Sequence, residues 1–201
     1  MSKLIFYSTF AFVFTLLAYN SEAQEVLDAH LAIKNPARLT AVEINKVYDE
    51  LKGRMAGGYK LAKLPILKNY QSWKRYNSEP YLSATHGQRY VNNYANGLVD
   101  NYGKLKNGET YPVGTVFAKD SITVTKQKEI YLGAMFVMEK LTKGKSPETA
   151  DWRYVMVLPD GSMFGDTTGD EAESVEYCHA CHIQKSRDDF VFFVPEKYRV
   201  E

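Results

Sequence analysis

The apolar residues of this chain change period once, and that change limits the folds open to it. After Asn35-Pro36, which reads as a cap and first-turn pair, Ile44, Val47, Tyr48, Leu51 and Met55 recur at i, i+3, i+4, i+7 and i+11. That is one face of a helix, closed by Gly57-Gly58, and residues 24–69 read as an N-terminal helical segment. A second short helix is expected around residues 70–74. From Gly87 onward the period is two. Residues 89–94 and 115–119 are rich in strand formers, the latter after a Pro112-Val113-Gly114 turn. Ile130, Leu132, Ala134, Phe136 and Met138 alternate along one long expected strand. Residues 152–158 form another, closed by Pro159-Asp160-Gly161, and residues 190–194 a short last one. Strands at this spacing, with no long helices between them, predict an antiparallel sheet. The expected class is α+β: a mainly antiparallel β-sheet with N-terminal helices and a C-terminal helix that carries both cysteines. Residues 70–201 read as one domain.

The first residues bear on compartment rather than fold. Lys3 precedes a mostly apolar run of 16 residues, Leu4 to Tyr19, followed by Ser21-Glu22-Ala23. Small residues at −3 and −1 fit a signal peptide of residues 1–23 cleaved after Ala23. The run is shorter than the roughly 20 residues that span a bilayer as a helix, an uncleaved anchor being the rival reading. The expectation is an exported protein, periplasmic or otherwise extracytoplasmic, with no stable membrane span after cleavage. With 25 basic against 24 acidic side chains the formal charge is +1, which argues against a nucleic-acid partner. Eight basic residues face two acidic ones between Lys46 and Arg75, and eight acidic face two basic between Asp160 and Asp189. Such faces suit either solvation or docking of a redox partner.

Export favours disulfides, yet the only two cysteines, Cys178 and Cys181, are three residues apart, and so short a loop would restrain little of the unfolded chain. They belong to Cys178-His179-Ala180-Cys181-His182, the C-x-x-C-H attachment signature of c-type haem. On a helical turn the two thiols share a side, where each can form a thioether with a vinyl group. His182 then lies under the ring as iron ligand, while His179 is expected to face solvent. A thiol redox pair would want the motif at the start of a helix in an early βαβ unit. Zinc would want four ligands, with His86 or His30 as a distant fourth. Coincidence is the third alternative. Only 19 residues follow His182, none of them Met or His. A sixth iron ligand must therefore come from upstream, from Met135, Met138, Met156, Met163 or His86, and spacing does not choose among them. Five-coordinate iron with an open face, suited to ligand binding or chemistry, is the expectation.

Several segments, taken in order, resemble the cytochrome P-460 family, which includes the beta-sheet cytochromes c′. They are Tyr70-Gln71-Ser72-Trp73, the run His86 to Asn92, the run Pro112 to Lys119, Asp151-Trp152-Arg153-Tyr154, the CHACH segment, and the run Ser186 to Phe192. The resemblance covers residues 70–193. It implies an often dimeric β fold with one haem c on a C-terminal helix. It also implies redox chemistry on hydroxylamine or nitric oxide, hence a small nitrogenous ligand or substrate and a redox partner cytochrome. The c′-type members instead bind gases without turnover. Lys119 matches the lysine that P-460 members bond to the macrocycle, and Arg89 an arginine lining the distal pocket. Glu171, Glu173 and Glu176 are candidates for a distal carboxylate; Glu173 is carried forward with Arg89 and Lys119 as the catalytic set. Asp170 and Glu173 also read as a cap for the cysteine-bearing helix. Strand alternation puts Phe117 on the face of Lys119, where it could cover the iron. Without the resemblance, Lys119 would read as a lysine guarding a strand edge and Arg89 as a surface arginine.

Overall fold

The computed structural model describes residues 33–106 and 108–200. The expected signal peptide and His30 lie outside the described residues. Helix α1 spans Ala41–Tyr59 and starts at Thr40, not at Asn35-Pro36. Thr40 Oγ1 accepts from the Glu43 backbone N–H and Glu43 accepts in return from the Thr40 N–H, so two otherwise orphaned donors are satisfied. Asn35 instead holds a left-handed φ of 53°. The α-helix ends at Tyr59, and short 3₁₀ turns follow at Lys60–Ala62, Pro65–Leu67 and Tyr70–Ser72. Lys63 in the left-handed region and Pro65, which lacks an N–H, stop the helix short of residue 69, the expected end of the helical segment. The expected helix at residues 70–74 is one such turn running into a strand.

Among the described residues eight strands make one sheet: β1 (Lys74–Arg75), β2 (Tyr81–Leu82), β3 (Tyr90–Ala95), β4 (Val116–Val124), β5 (Ile130–Leu132), β6 (Met135–Lys140), β7 (Trp152–Val157) and β8 (Met163–Asp166). The order is β1-β3-β4-β6-β7-β8, with β2 also on β3 and β5 also on β4. Every pairing is antiparallel. Together with α1 this is the mainly antiparallel α+β arrangement expected. The long strand expected at residues 130–138 is broken at Gly133. A Cβ there would overlap Ser121 Oγ and crowd the Ser121 carbonyl, so only glycine lets the two chains approach. The expected strand at residues 190–194 does not form, because Asp189 and Phe190 adopt φ of 48° and 65°, far from extended backbone.

Alternation sorts side chains to the two faces of the sheet. Tyr90 and Tyr94 of β3, Val116, Ala118, Ile122 and Val124 of β4, Met135 and Val137 of β6, and Val155 and Val157 of β7 pack with Ile44, Tyr48, Met55 and Tyr59 of α1. The other parity carries Val91, Phe117, Met138, Trp152 and Tyr154, which pack with Val191 and Val194 of the C-terminal segment. This second face is where α2 (Glu176–His182) lies, preceded by a 3₁₀ turn at Ala172–Val175 and followed by another at Ile183–Asp188. Among the described residues no helix is long and apolar enough to cross a membrane.

Candidate functional site

Between α2, the second sheet face and the β2–β3 loop lies a cavity of about 760 Å³. Its size falls in the range of small-molecule sites, roughly 300–1,000 Å³. The alternation rule selects much of the wall: Phe117 and Lys119 from β4, Phe136 and Met138 from β6, and Tyr154 from β7. Helix α2 contributes Tyr177, Cys178, Cys181 and His182, and the loop contributes His86 and Arg89. Phe117 and Lys119 therefore share the cavity face, as alternation predicts. Asp120, the next residue, turns into the core on the α1 side, where it accepts from Tyr48 and Tyr70 hydroxyls at 3.0 Å each.

Both cysteines are free and border the cavity. Burial pushes the Cys178 thiol up to about 12, so it is held as a protonated thiol. His182 is only 7% exposed, and its Nδ1 lies 2.6 Å from the Phe190 carbonyl. With Nδ1 donating there, Nε2 is the ring nitrogen left for the cavity. Burial and the nearby Lys119 ammonium lower its pKa to about 4, keeping the imidazole neutral, the form that binds a metal. Tyr154 and Phe192 rings flank it at 5.3 and 5.2 Å between centroids. His179 does not face open solvent as expected. It is half-buried, stacks on Phe190 at 5.4 Å and lies within 3.4 Å of the Tyr154 hydroxyl.

Two cations reach the cavity. Arg89 sits just before β3, is buried, and donates from Nη1 to the His86 carbonyl at 3.3 Å. Lys119 pairs in register with Asn93 and Phe136, and burial lowers its ammonium to about 8. The three carboxylate candidates separate. Glu173 and Glu176 line the cavity but are exposed, while Glu171 does not line it. Neither Asp170 nor Glu173 caps α2; its N-cap is Val175, with no side-chain hydrogen bond. Of the methionines considered, Met138 lines the cavity, whereas Met135, Met156 and Met163 belong to apolar clusters.

Sequence reasoning left His86 among five equal candidates. The structure places it on the cavity, its Nδ1 3.1 Å from Thr85 Oγ1 and 3.2 Å from Ser83 Oγ, its ring edge-on to Phe136. Lys140 and Asp189, a buried ion pair whose aspartate is next to Phe190 in the chain, were not singled out at all. No short-range spacing signal marks residues so far apart in the chain.

The donor set suits a haem. Two free thiols and a neutral imidazole with an anchored Nδ1 line one cavity, together with the rings of Phe117, Phe136, Tyr154, Tyr177 and Phe192. Among the described residues no group of three or more His, Cys, Asp or Glu side chains is arranged to hold a metal ion by itself. The family model described as Cytochrome P460 matches residues 67–193, and the chain belongs to that family. No curated protein matches the chain.

Proposed function

From membership of the cytochrome P460 family, a family of haem cytochromes, we propose that this chain is an exported c-type cytochrome with one haem c that acts on hydroxylamine or nitric oxide. The cavity bordered by Cys178, Cys181 and His182 together carries this reading. Thioether bonds from the two cysteines would hold the group, and His182 would bind its iron from one side. Haem c supplies an iron site for a small nitrogenous ligand and a route for electrons to a partner cytochrome, the ligand-accepting form being five-coordinate.

The chain's own residues then have distinct tasks. Phe190 fixes the His182 tautomer through its carbonyl and so sets the ring's orientation. Phe117, Phe136 and Phe192 exclude water from the cavity wall. Arg89, buried and cationic, would donate hydrogen bonds to the oxygen of a bound N–O group, a charge-assisted contact. Lys119 is the residue to be bonded to the macrocycle. Glu173, with Glu176, is at the solvent side, where a carboxylate can exchange protons between the cavity and water. That exposure also favours a second reading, reversible gas binding without turnover, because neither carboxylate is held buried against the ligand space.

Production in a host that attaches haem c tests this. Denatured wild-type protein is expected to keep its haem, and the Cys178→Ala/Cys181→Ala/Lys119→Met variant to lose it. Consumption of hydroxylamine with an electron acceptor supports turnover; nitric oxide binding without consumption supports the gas-binding reading. A wild-type chain without covalent haem overturns both.

A further inference from the structure

The imidazoles of His86 and His182 face one cavity with ring centroids 6.5 Å apart and planes at 75°. Two imidazoles coaxial about one metal, each bonded at roughly 2 Å through a nitrogen about 1.1 Å from its ring centre, would have centroids about 6.2 Å apart. The observed separation is close to that of a pair sharing a metal and lies at the long end of the range for an edge-to-face ring contact. Each ring also has the outer partner that ligating histidines have: the Phe190 carbonyl at Nδ1 of His182, and the Thr85 and Ser83 hydroxyls at Nδ1 of His86. Both therefore leave Nε2 for the space between them.

We propose that His86 is the second axial ligand of the iron held by His182, so that at rest the metal lies between two imidazoles and a guest enters when His86 leaves. The proposal rests on the haem reading above and refines it: the position that the sequence left open is taken in the resting protein. The leaving motion has a structural basis. His86 sits in the loop joining β2 to β3, and β2 is a strand of only two residues. The loop turns through left-handed Gly87 and Gln88 and is closed at its base by the Ser83 N–H donating to the Arg89 carbonyl at 2.9 Å. The base can stay paired while the tip lifts. What holds the tip is the Phe136 ring, the Arg89 bond to the His86 carbonyl, and the Ile33 N–H donating to the Gly87 carbonyl at 2.9 Å. If His86 occupies the position nine-tenths of the time, guests bind about tenfold more weakly than to the open form.

The spin state of the ferric iron tests this at neutral pH, by absorption and electron paramagnetic resonance of the haem-loaded chain. Expected is a low-spin wild type that becomes high-spin in both His86→Ala and His86→Phe. Phe keeps a ring against Phe136 should Ala fail to fold. Added imidazole is expected to restore the low-spin signal in His86→Ala, and carbon monoxide to bind the ferrous variants about tenfold more tightly than wild type. A wild type already high-spin and unchanged by His86→Ala overturns the proposal. So does a low-spin signal that survives both His86 variants but is lost in Met138→Leu or Lys119→Met. In each of these cases the haem stays on the denatured chain, so the proposed function stands; a chain without covalent haem overturns that function instead.

Discussion

Lys140 Nζ donates to Asp189 Oδ1 at 2.8 Å in a site where the two side chains are only 10% and 2% exposed. The same oxygen receives the Trp152 indole N–H at 3.3 Å, and Oδ2 receives the Tyr111 backbone N–H at 2.8 Å. The ammonium also lies over the Trp152 ring at 4.8 Å. Asp189 immediately precedes Phe190, whose carbonyl anchors His182. A buried ion pair between the sheet and the C-terminal segment thus holds the outer support of the proposed iron ligand.

Removing one partner of such a pair leaves the other charge buried. Lys140→Met is expected to lower unfolding stability by about 3–5 kcal/mol, read from urea unfolding. Adding Asp189→Asn is expected to recover part of that loss, since it removes the stranded charge. Equal stability of Lys140→Met and wild type would show that the pair does not hold this segment.

Gly133→Ala is expected to cost about 1–3 kcal/mol. The added methyl meets Ser121 Oγ, which cannot swing away without breaking its 2.6 Å bond to the Ala134 carbonyl. The Gly133 carbonyl is also the acceptor for the Tyr59 hydroxyl at 2.7 Å, so a shift there disturbs the docking of α1. Adding Ser121→Gly removes the side-chain overlap and should restore part of the melting temperature, leaving the backbone crowding.

Asp120 sets a pH dependence. Burial raises its pKa from 3.8 to about 6, against hydrogen bonds from Asn92, Tyr48 and Tyr70 that lower it. A carboxyl with a raised folded-state pKa holds its proton better in the folded chain, so its contribution to stability is full below about 4. It is lost as pH rises through about 6. The loss amounts to about 3 kcal/mol. Asp120→Asn is expected to abolish this slope, measured as the difference in urea midpoint between wild type and variant from pH 4 to pH 7. A difference that does not vary with pH would refute it.

Lys119→Met tests the bond to the macrocycle. Chemical cleavage of the thioethers is expected to leave haem on the wild-type chain and to free it from the variant, as read by mass. In the haem-free chain stability should not fall, because the substitution removes a desolvated ammonium whose pKa burial has already lowered to about 8. Release of haem from both proteins would remove Lys119 from the site's chemistry.

The sequence by itself determined what depends on neighbours along the chain. The four- and seven-residue spacing of Ile44, Tyr48 and Met55 specified a helix and its buried face. The two-residue alternation through Phe117 and Lys119 specified which side chains share a sheet face. The C-x-x-C-H spacing put two thiols and an imidazole on one short helix. Tertiary structure decided what depends on contacts through space. The break at Gly133 came from the approach of Ser121, and the irregular path after residue 188 came with the pairing of Asp189 with Lys140. The meeting of His86 with His182 belongs to the same group. Periodicity carries the geometry of one turn or one strand. Which distant residues converge depends on sheet register and loop closure, and these exist only once the core has packed.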